Sequence, residues 1–257
     1  MRKFIFTALL ITLVCFPAFG AKIKSGEDLI TEMHKKYEGK WYKTLTFVQK
    51  NTQYRPDGTT QNSIWYEAME LPGKLRIDFE PLADKTGMMF VGGKQMNFNK
   101  GKLVRTQAAV HPLMVLGFDV YGQPVETTIN QLKELKFDLS IIREDKWQDR
   151  AVYVVGAAKG DLKSKQFWVD KKNLFFVRSL QPSGPNEKRV SETQFNKYQK
   201  VKGGGWIAPE VVFIVDGKRV FVEEYTEIKT GMDLNADLFD PEKWSDADTG
   251  FFVKSEK

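Results

Sequence analysis

This chain of 257 residues is almost without cysteine and histidine: Cys15 is its one thiol, and His34 and His111 are its two imidazoles. One cysteine cannot close an intramolecular disulfide or build a thiolate zinc site, so the fold depends on its core. The two histidines lie far apart in sequence, without the short spacing that brings metal ligands together. They read as a solvated helix residue and a turn residue ahead of Pro112. No Gly-x-Ser-x-Gly, Ser-x-x-Lys or His-Glu-x-x-His run occurs, which leaves hydrolase chemistry without a visible nucleophile or base. An excess of one charge is missing as well. The 39 Lys and Arg residues are scattered among 33 Asp and Glu, an arrangement that argues against a nucleic-acid groove.

Two partial motifs fail on physical grounds. Gly203-x-Gly205-x-x-Ala208 resembles a dinucleotide fingerprint, but Pro209 and the β-branched run after it predict a strand where a pyrophosphate site needs a helix N-terminus. A hairpin turn is the better reading. Asp233-x-Asn235-x-Asp237 resembles a calcium loop, but Leu238 replaces the required glycine and Trp244 the bidentate glutamate. Glu223 and Glu224 are neighbours on one strand, so they point to opposite faces and form no dyad with each other. These failures leave no catalytic, metal or cofactor site, and the chain is expected to bind rather than to catalyse.

What is present begins with Met1-Arg2-Lys3, an apolar run from Phe4 to Phe16, and Pro17-Ala18-Phe19-Gly20. This is the layout of a secretory leader, with small residues at −3 and −1 of a cut before Ala21. As a helix the apolar run would reach about 20 Å against the roughly 30 Å of a hydrocarbon core, too short for an anchor. The residues before Cys15 do not form a lipidation box. Losing the leader removes Arg2 and Lys3, lowers the net charge from +6 to +4 and leaves no cysteine.

Beyond the leader, Ser25 to Tyr37 predicts an amphipathic helix, with Ser25 as its cap and Leu29, Ile30 and Met33 at helical spacing. A β region then runs from Lys43 to about Arg105, with turn signals at Arg55-Pro56-Asp57-Gly58, Leu71-Pro72-Gly73, Gly92-Gly93 and Asn99-Lys100-Gly101. From Lys74 to Glu80 apolar and charged residues alternate strictly, predicting a strand with Leu75, Ile77 and Phe79 buried and Arg76 and Asp78 wet. Helical stretches follow at His111–Tyr121 and Thr127–Phe137. A second meander has runs at Ala151–Ala157, Lys165–Asp170, Leu174–Leu180, Val190–Lys200, Trp206–Val215 and Lys218–Ile228. The fold class is mainly β (α+β): an unclosed, strongly curved antiparallel β barrel with helices covering its concave face. One domain spans 21–244, followed by a polar tail over 245–257.

Large apolar side chains are abundant, with 19 Phe, 6 Trp, 8 Tyr and 8 Met. Most of them are core. Methionine, however, suits surfaces that must accept variable apolar shapes, and Met88-Met89-Phe90, Met96, Phe98, Leu113, Met114, Leu116 and Phe118 form a Met-rich set that is a candidate cavity lining.

Several of these residues also carry a resemblance. Phe47-x-Gln49 after an N-terminal helix, Pro72-Gly73-Lys74-Leu75-Arg76, Gly93-Lys94 and Leu162-x-x-x-Gln166-Phe167-x-Val169 follow one another as they do in the LolA/LolB-like periplasmic lipoprotein carriers, the outer membrane lipoprotein-sorting proteins. The chain resembles that family over most of its length after the leader. It departs where the family has an arginine before the proline, here Leu71, so the family's lid-gating bond does not carry over, and where Gly92 replaces an aspartate. The resemblance implies a periplasmic, monomeric carrier for lipid-modified protein or lipid, exchanging with an inner-membrane donor and an outer-membrane acceptor. The apolar cavity candidates are Phe47, Leu75, Ile77, Phe79, Met89, Met96, Phe98, Leu113, Met114, Leu116, Phe118, Phe167 and Val169. The alternative is a sensor module on the same scaffold that binds a protein partner. An enzyme acting on envelope glycan or lipid ranks last.

Overall fold

The computed structural model describes residues 23–252, so the expected leader and its cut before Ala21 lie outside the described residues. The chain enters through helix α1 (Gly26–Tyr37). The Ser25 hydroxyl accepts from the Asp28 N–H at 3.0 Å, and the Asp28 carboxylate accepts from the Ser25 N–H at 3.1 Å. This reciprocal cap satisfies two otherwise orphaned donors. Leu29, Ile30, Met33 and Tyr37 form the buried stripe.

Six strands follow: β1 (Thr44–Tyr54), β2 (Thr60–Glu70), β3 (Lys74–Phe79), β4 (Gly87–Val91), β5 (Lys94–Asn99) and β6 (Lys102–Ala108). The chain then turns helical, through α2 (Pro112–Gly117), a single 3-10 turn at Asp119–Tyr121 and α3 (Val125–Glu134). The second meander comprises β7 (Ile142–Trp147), β8 (Arg150–Val155), β9 (Gln166–Asp170), β10 (Phe176–Ser183), β11 (Arg189–Asn196), β12 (Gln199–Lys200), β13 (Trp206–Ile207), β14 (Glu210–Val215) and β15 (Lys218–Thr230). All but β12 and β13 join one sheet of 13 antiparallel strands, ordered β6-β5-β4-β3-β2-β1-β15-β14-β11-β10-β9-β8-β7. The two meanders are sealed to each other where β15 pairs with β1. Register shifts in β1, β5, β10 and β14 insert bends of the kind that curve a sheet.

The barrel does not close, and β6 and β7 are its free edges. Sequence reading misses β7, whose Arg143-Glu144-Asp145-Lys146 carries no apolar alternation; β6 is exposed along nearly its whole length. Charged, wet strands are the usual protection of an open edge. The segment between these two edges is the helical one, so α2 and α3 lie where the sheet leaves its concave side uncovered. Close packing sets α2 in place: a Cβ on Gly117 would stand 2.9 Å from the Phe195 ring of β11.

The convex side differs from expectation. Arg76 and Asp78 are not wet: they are 2% and 4% exposed, paired to each other, and covered by the chain after β15. The Arg76 guanidinium lies 4.0 Å from the Trp244 ring centroid and donates to the Trp244 carbonyl, and the Trp244 indole N–H donates to the Lys85 carbonyl at 2.9 Å. Of the polar tail expected over 245–257, residues 253–257 lie outside the described residues, and the part before them packs on the sheet. Ser245 donates to the Gly101 carbonyl at 3.0 Å, and Phe252 is buried beside Tyr66. The partial calcium motif is used locally, with Asn235 capping a short 3-10 turn and Asp237 meeting Lys243. Gly203 to Gly205 lie in the turn between β12 and β13, all at positive φ.

Candidate functional site

Strand alternation decides which side chains reach the space under α2. Along β1, Phe47, Gln49 and Asn51 share the concave face; across the register, so do Trp65, Glu67 and Met69 of β2 and Glu223 and Tyr225 of β15. The same parity continues through Leu75, Ile77 and Phe79 of β3 into Met88 and Phe90 of β4. A cavity of about 240 Å³ lies over these residues and is closed from above by His111, Leu113, Met114 and Phe118. It shares His111, Leu113, Phe213 and Glu223 as a wall with a second cavity of about 540 Å³. The larger space runs past Phe137 and Phe221 to a rim of Ser179, Gln181, Ser191 and Thr193. These volumes fall in the range of about 300–1,000 Å³, or just below it for the smaller, that ligand pockets occupy.

Of the side chains singled out from sequence, the structure brings Phe47, Leu75, Ile77, Leu113, Met114 and Phe118 to one cavity. It does not bring the others. Met89, Met96 and Phe98 have the opposite parity and form a convex-face cluster with Trp244, whose ring stacks on Phe98 at 4.2 Å. Phe79 shares the concave face but packs beside Trp65, at 5.0 Å between ring centroids, outside the cavity lining. Leu116 points from α2 into solid core and is fully buried. Phe167 and Val169 are equally buried, with Phe137 set edge-on to Phe167 at 5.4 Å. Trp65, Met69, Met88, Phe90, Phe195, Phe213 and Tyr225 add to the cavity's apolar and aromatic lining.

The cavity is not purely apolar. Glu67, which is 5% exposed, and Glu223 both face it from strands on either side of β1. Glu223 is half-buried and lines both cavities. Burial, then the neighbouring Glu223 charge, raises the Glu67 carboxyl well above its ordinary range. Burial raises Glu223 to about 7, against the lowering effect of hydrogen bonds from Tyr225 and Gln49. The Tyr225 hydroxyl donates to Glu223 at 2.7 Å, and Gln49 Nε2 donates to Asn51 Oδ1 at 2.7 Å. His111, at the roof, is held by burial at about 4 and is therefore neutral near pH 7. Its Nδ1 accepts from the Met114 N–H and so caps α2. Sequence reading passes over this polar group because Glu67 and Glu223 lie in different meanders and meet only through β1. The one available signal was two acids at inward positions of otherwise apolar strand faces.

The helical roof is tied to the sheet at the β2–β3 turn. Gly73 N–H donates to Asp119 Oδ1 at 3.0 Å, and burial raises the Asp119 carboxyl to about 6. Leu71, the position before Pro72, packs against the apolar core beside this contact. Among the described residues, no group of three or more His, Cys, Asp and Glu side chains is placed to hold a metal ion.

Comparison with protein-family models finds no match. Comparison with curated proteins finds none either. Solved structures do share the architecture. An outer membrane lipoprotein-sorting protein domain from Vibrio parahaemolyticus matches with a TM-score of 0.59 at 13% identity, over 86% of this chain and 98% of its own. A DUF1329 family protein from Desulfovibrio piger matches with a TM-score of 0.57 at 14% identity, over 84% of this chain and 95% of its own. A LolA superfamily protein from Nitrosomonas europaea matches with a TM-score of 0.53 at 13% identity, over 82% of this chain and 96% of its own. The unclosed, curved β fold expected from sequence is thus the fold these proteins share.

Proposed function

We propose that this protein is a periplasmic carrier that shields the acyl chains of a lipoprotein or lipid in its concave cavity on the way towards the outer membrane. The observation that carries this reading is the apolar space between α2 and the sheet, walled by Phe47, Leu75, Ile77, Leu113, Met114 and Phe118. Leaving an acyl chain in water costs roughly 0.8 kcal/mol per CH₂, on the order of 12 kcal/mol for a chain of about fifteen carbons. A wall of Phe, Leu and Met side chains removes that cost without directional bonds. Cargo therefore passes from a donor at the inner membrane to an acceptor at the outer membrane when the acceptor binds it better, with no nucleotide or cofactor involved. The carrier acts as a monomer and binds no nucleic acid.

Fold likeness to a lipoprotein-sorting domain supports the same reading. The test is uptake by delipidated, refolded protein. Native mass spectrometry should record a one-to-one complex with a diacylated peptide and none with the same peptide lacking its acyl chains. Equal retention of both peptides would refute the carrier and favour a module that binds proteins.

A further inference from the structure

We infer that the Glu67–Glu223 group, together with the aromatic walls around it, is a subsite for a cationic amine carried by an amphiphile whose chain fills the rest of the cavity. The inference rests on the carrier reading and adds the chemistry of the cargo's polar end. Two carboxyls face one cavity from β2 and β15, and no Lys or Arg side chain among the described residues lines either cavity. Buried acids without a counter-charge are costly, and an ammonium supplied by a ligand removes that cost by pairing with both.

A second observation points the same way. Asn51 is 2% exposed and lies across from Glu223 in the β1–β15 register, and its Nδ2 has no hydrogen-bond partner although its Oδ1 accepts from Gln49. Such a buried, unused donor costs free energy in the empty protein. It is placed to support the Glu223 carboxylate once a cation holds that group ionised. The walls supply the third element. Phe47 stacks on Tyr225 at 4.2 Å, and Trp65 and Phe213 each pack against Phe221, so aromatic rings flank the acids. Carboxylates framed by aromatic rings are the arrangement that attracts alkylated ammonium groups, through charge and the ring quadrupole together. The remaining polar groups near the acids, Gln49, Tyr225 and the neutral His111, carry no positive charge to oppose such a ligand.

The experiment compares n-dodecylammonium, n-dodecanol and n-dodecanoate, each below its aggregation concentration, by calorimetry on the full folded chain near neutral pH. Dodecylammonium should bind about tenfold more tightly than dodecanol, with dodecanoate weakest. Glu67→Gln and Glu223→Gln should each bring dodecylammonium close to the dodecanol value while dodecanol itself stays within about twofold. Circular dichroism and thermal unfolding verify that both variants fold, and the three-ligand ranking in the unaltered protein needs no variant. Displacement of dodecylammonium by phosphatidylethanolamine vesicles would assign the amine to a lipid headgroup. Its persistence would assign the site to free cationic amphiphiles, and either result supports the subsite. Equal binding of alkanol and ammonium, tightest binding of dodecanoate, or a ranking unchanged in both variants would overturn the inference while leaving the carrier intact. Binding of none of the three would overturn both.

Discussion

Arg76 and Asp78 occupy the convex face of β3, and Glu67 and Glu223 the concave face of β2 and β15; the protein treats these two pairs in opposite ways. On the convex side the charges are opposite and joined by two short contacts of 2.7 and 2.9 Å. A tryptophan ring lies over them and backbone carbonyls take the spare N–H groups. On the concave side both groups are carboxyls, no Lys or Arg among the described residues lines the cavity beside them, and an amide N–H is left unused. The first face is finished as structure. The second is left open beside a cavity, and the contrast separates side chains that hold the sheet together from those available to a ligand.

The largest effect should come from breaking the finished pair. Asp78→Ala leaves the guanidinium of Arg76 buried without its counter-charge, and urea unfolding should record a loss of about 3–5 kcal/mol. A loss below about 1 kcal/mol would mean that water reaches Arg76.

Changing the unfinished pair should act in the other direction. Glu223 titrates at about 7 in the folded protein against 4.5 ordinarily. Between those values the folded chain keeps a proton that the unfolded chain has released, so stability falls as pH rises through this window and levels off above it. Glu223→Gln should therefore match the unaltered protein below pH 4.5 and exceed its stability by about 3 kcal/mol above pH 7. Stability curves measured at several pH values that run parallel for the two proteins would contradict the burial of this carboxyl.

The roof residue supplies the mirror case. His111 is held at about 4 against 6.5 ordinarily, so the unfolded chain binds a proton first as pH falls, and stability is lost from 6.5 down through 4. His111→Gln should remove that acid-side loss, as read from unfolding midpoints between these pH values. The smallest effect belongs to the exposed pair of Lys243 and Asp237, 3.1 Å apart on the segment that covers the convex face. Lys243→Ala should leave the unfolding midpoint unchanged, because solvent screens such a pair.

Much of the architecture was legible in the residues themselves. Ser25 predicts the start of α1, Leu71-Pro72-Gly73 predicts the β2–β3 turn, and the Leu75, Ile77, Phe79 alternation predicts the inward face of β3. What alternation could not reveal is whether the other face of β3 is wet. That depends on residues 234–252, which return from the far end of the chain to cover Arg76 and Asp78. The Met88-Met89-Phe90 run misled for a related reason. With apolar residues at every position, the run does not say which parity faces the cavity, and pairing with β3 sends Met88 and Phe90 inward and Met89 outward. β7 was hidden by the charges that suit an edge strand. The acid pair was hidden because it exists only after β15 joins β1.

The central claim is that the concave cavity, and not the convex Met–Phe cluster, receives the acyl chain. Its most direct test is the affinity for a diacylated peptide in Leu113→Asp and Met89→Ala, measured beside the unfolding free energy of each variant. Leu113→Asp, which puts a charge into the cavity roof, should weaken binding at least about tenfold with little loss of stability, since Leu113 is half-buried. Met89→Ala, which empties a packed site beside Trp244, should cost about 2–5 kcal/mol of stability and leave the affinity of the folded protein unchanged. Affinity lost in Met89→Ala and kept in Leu113→Asp would contradict the account.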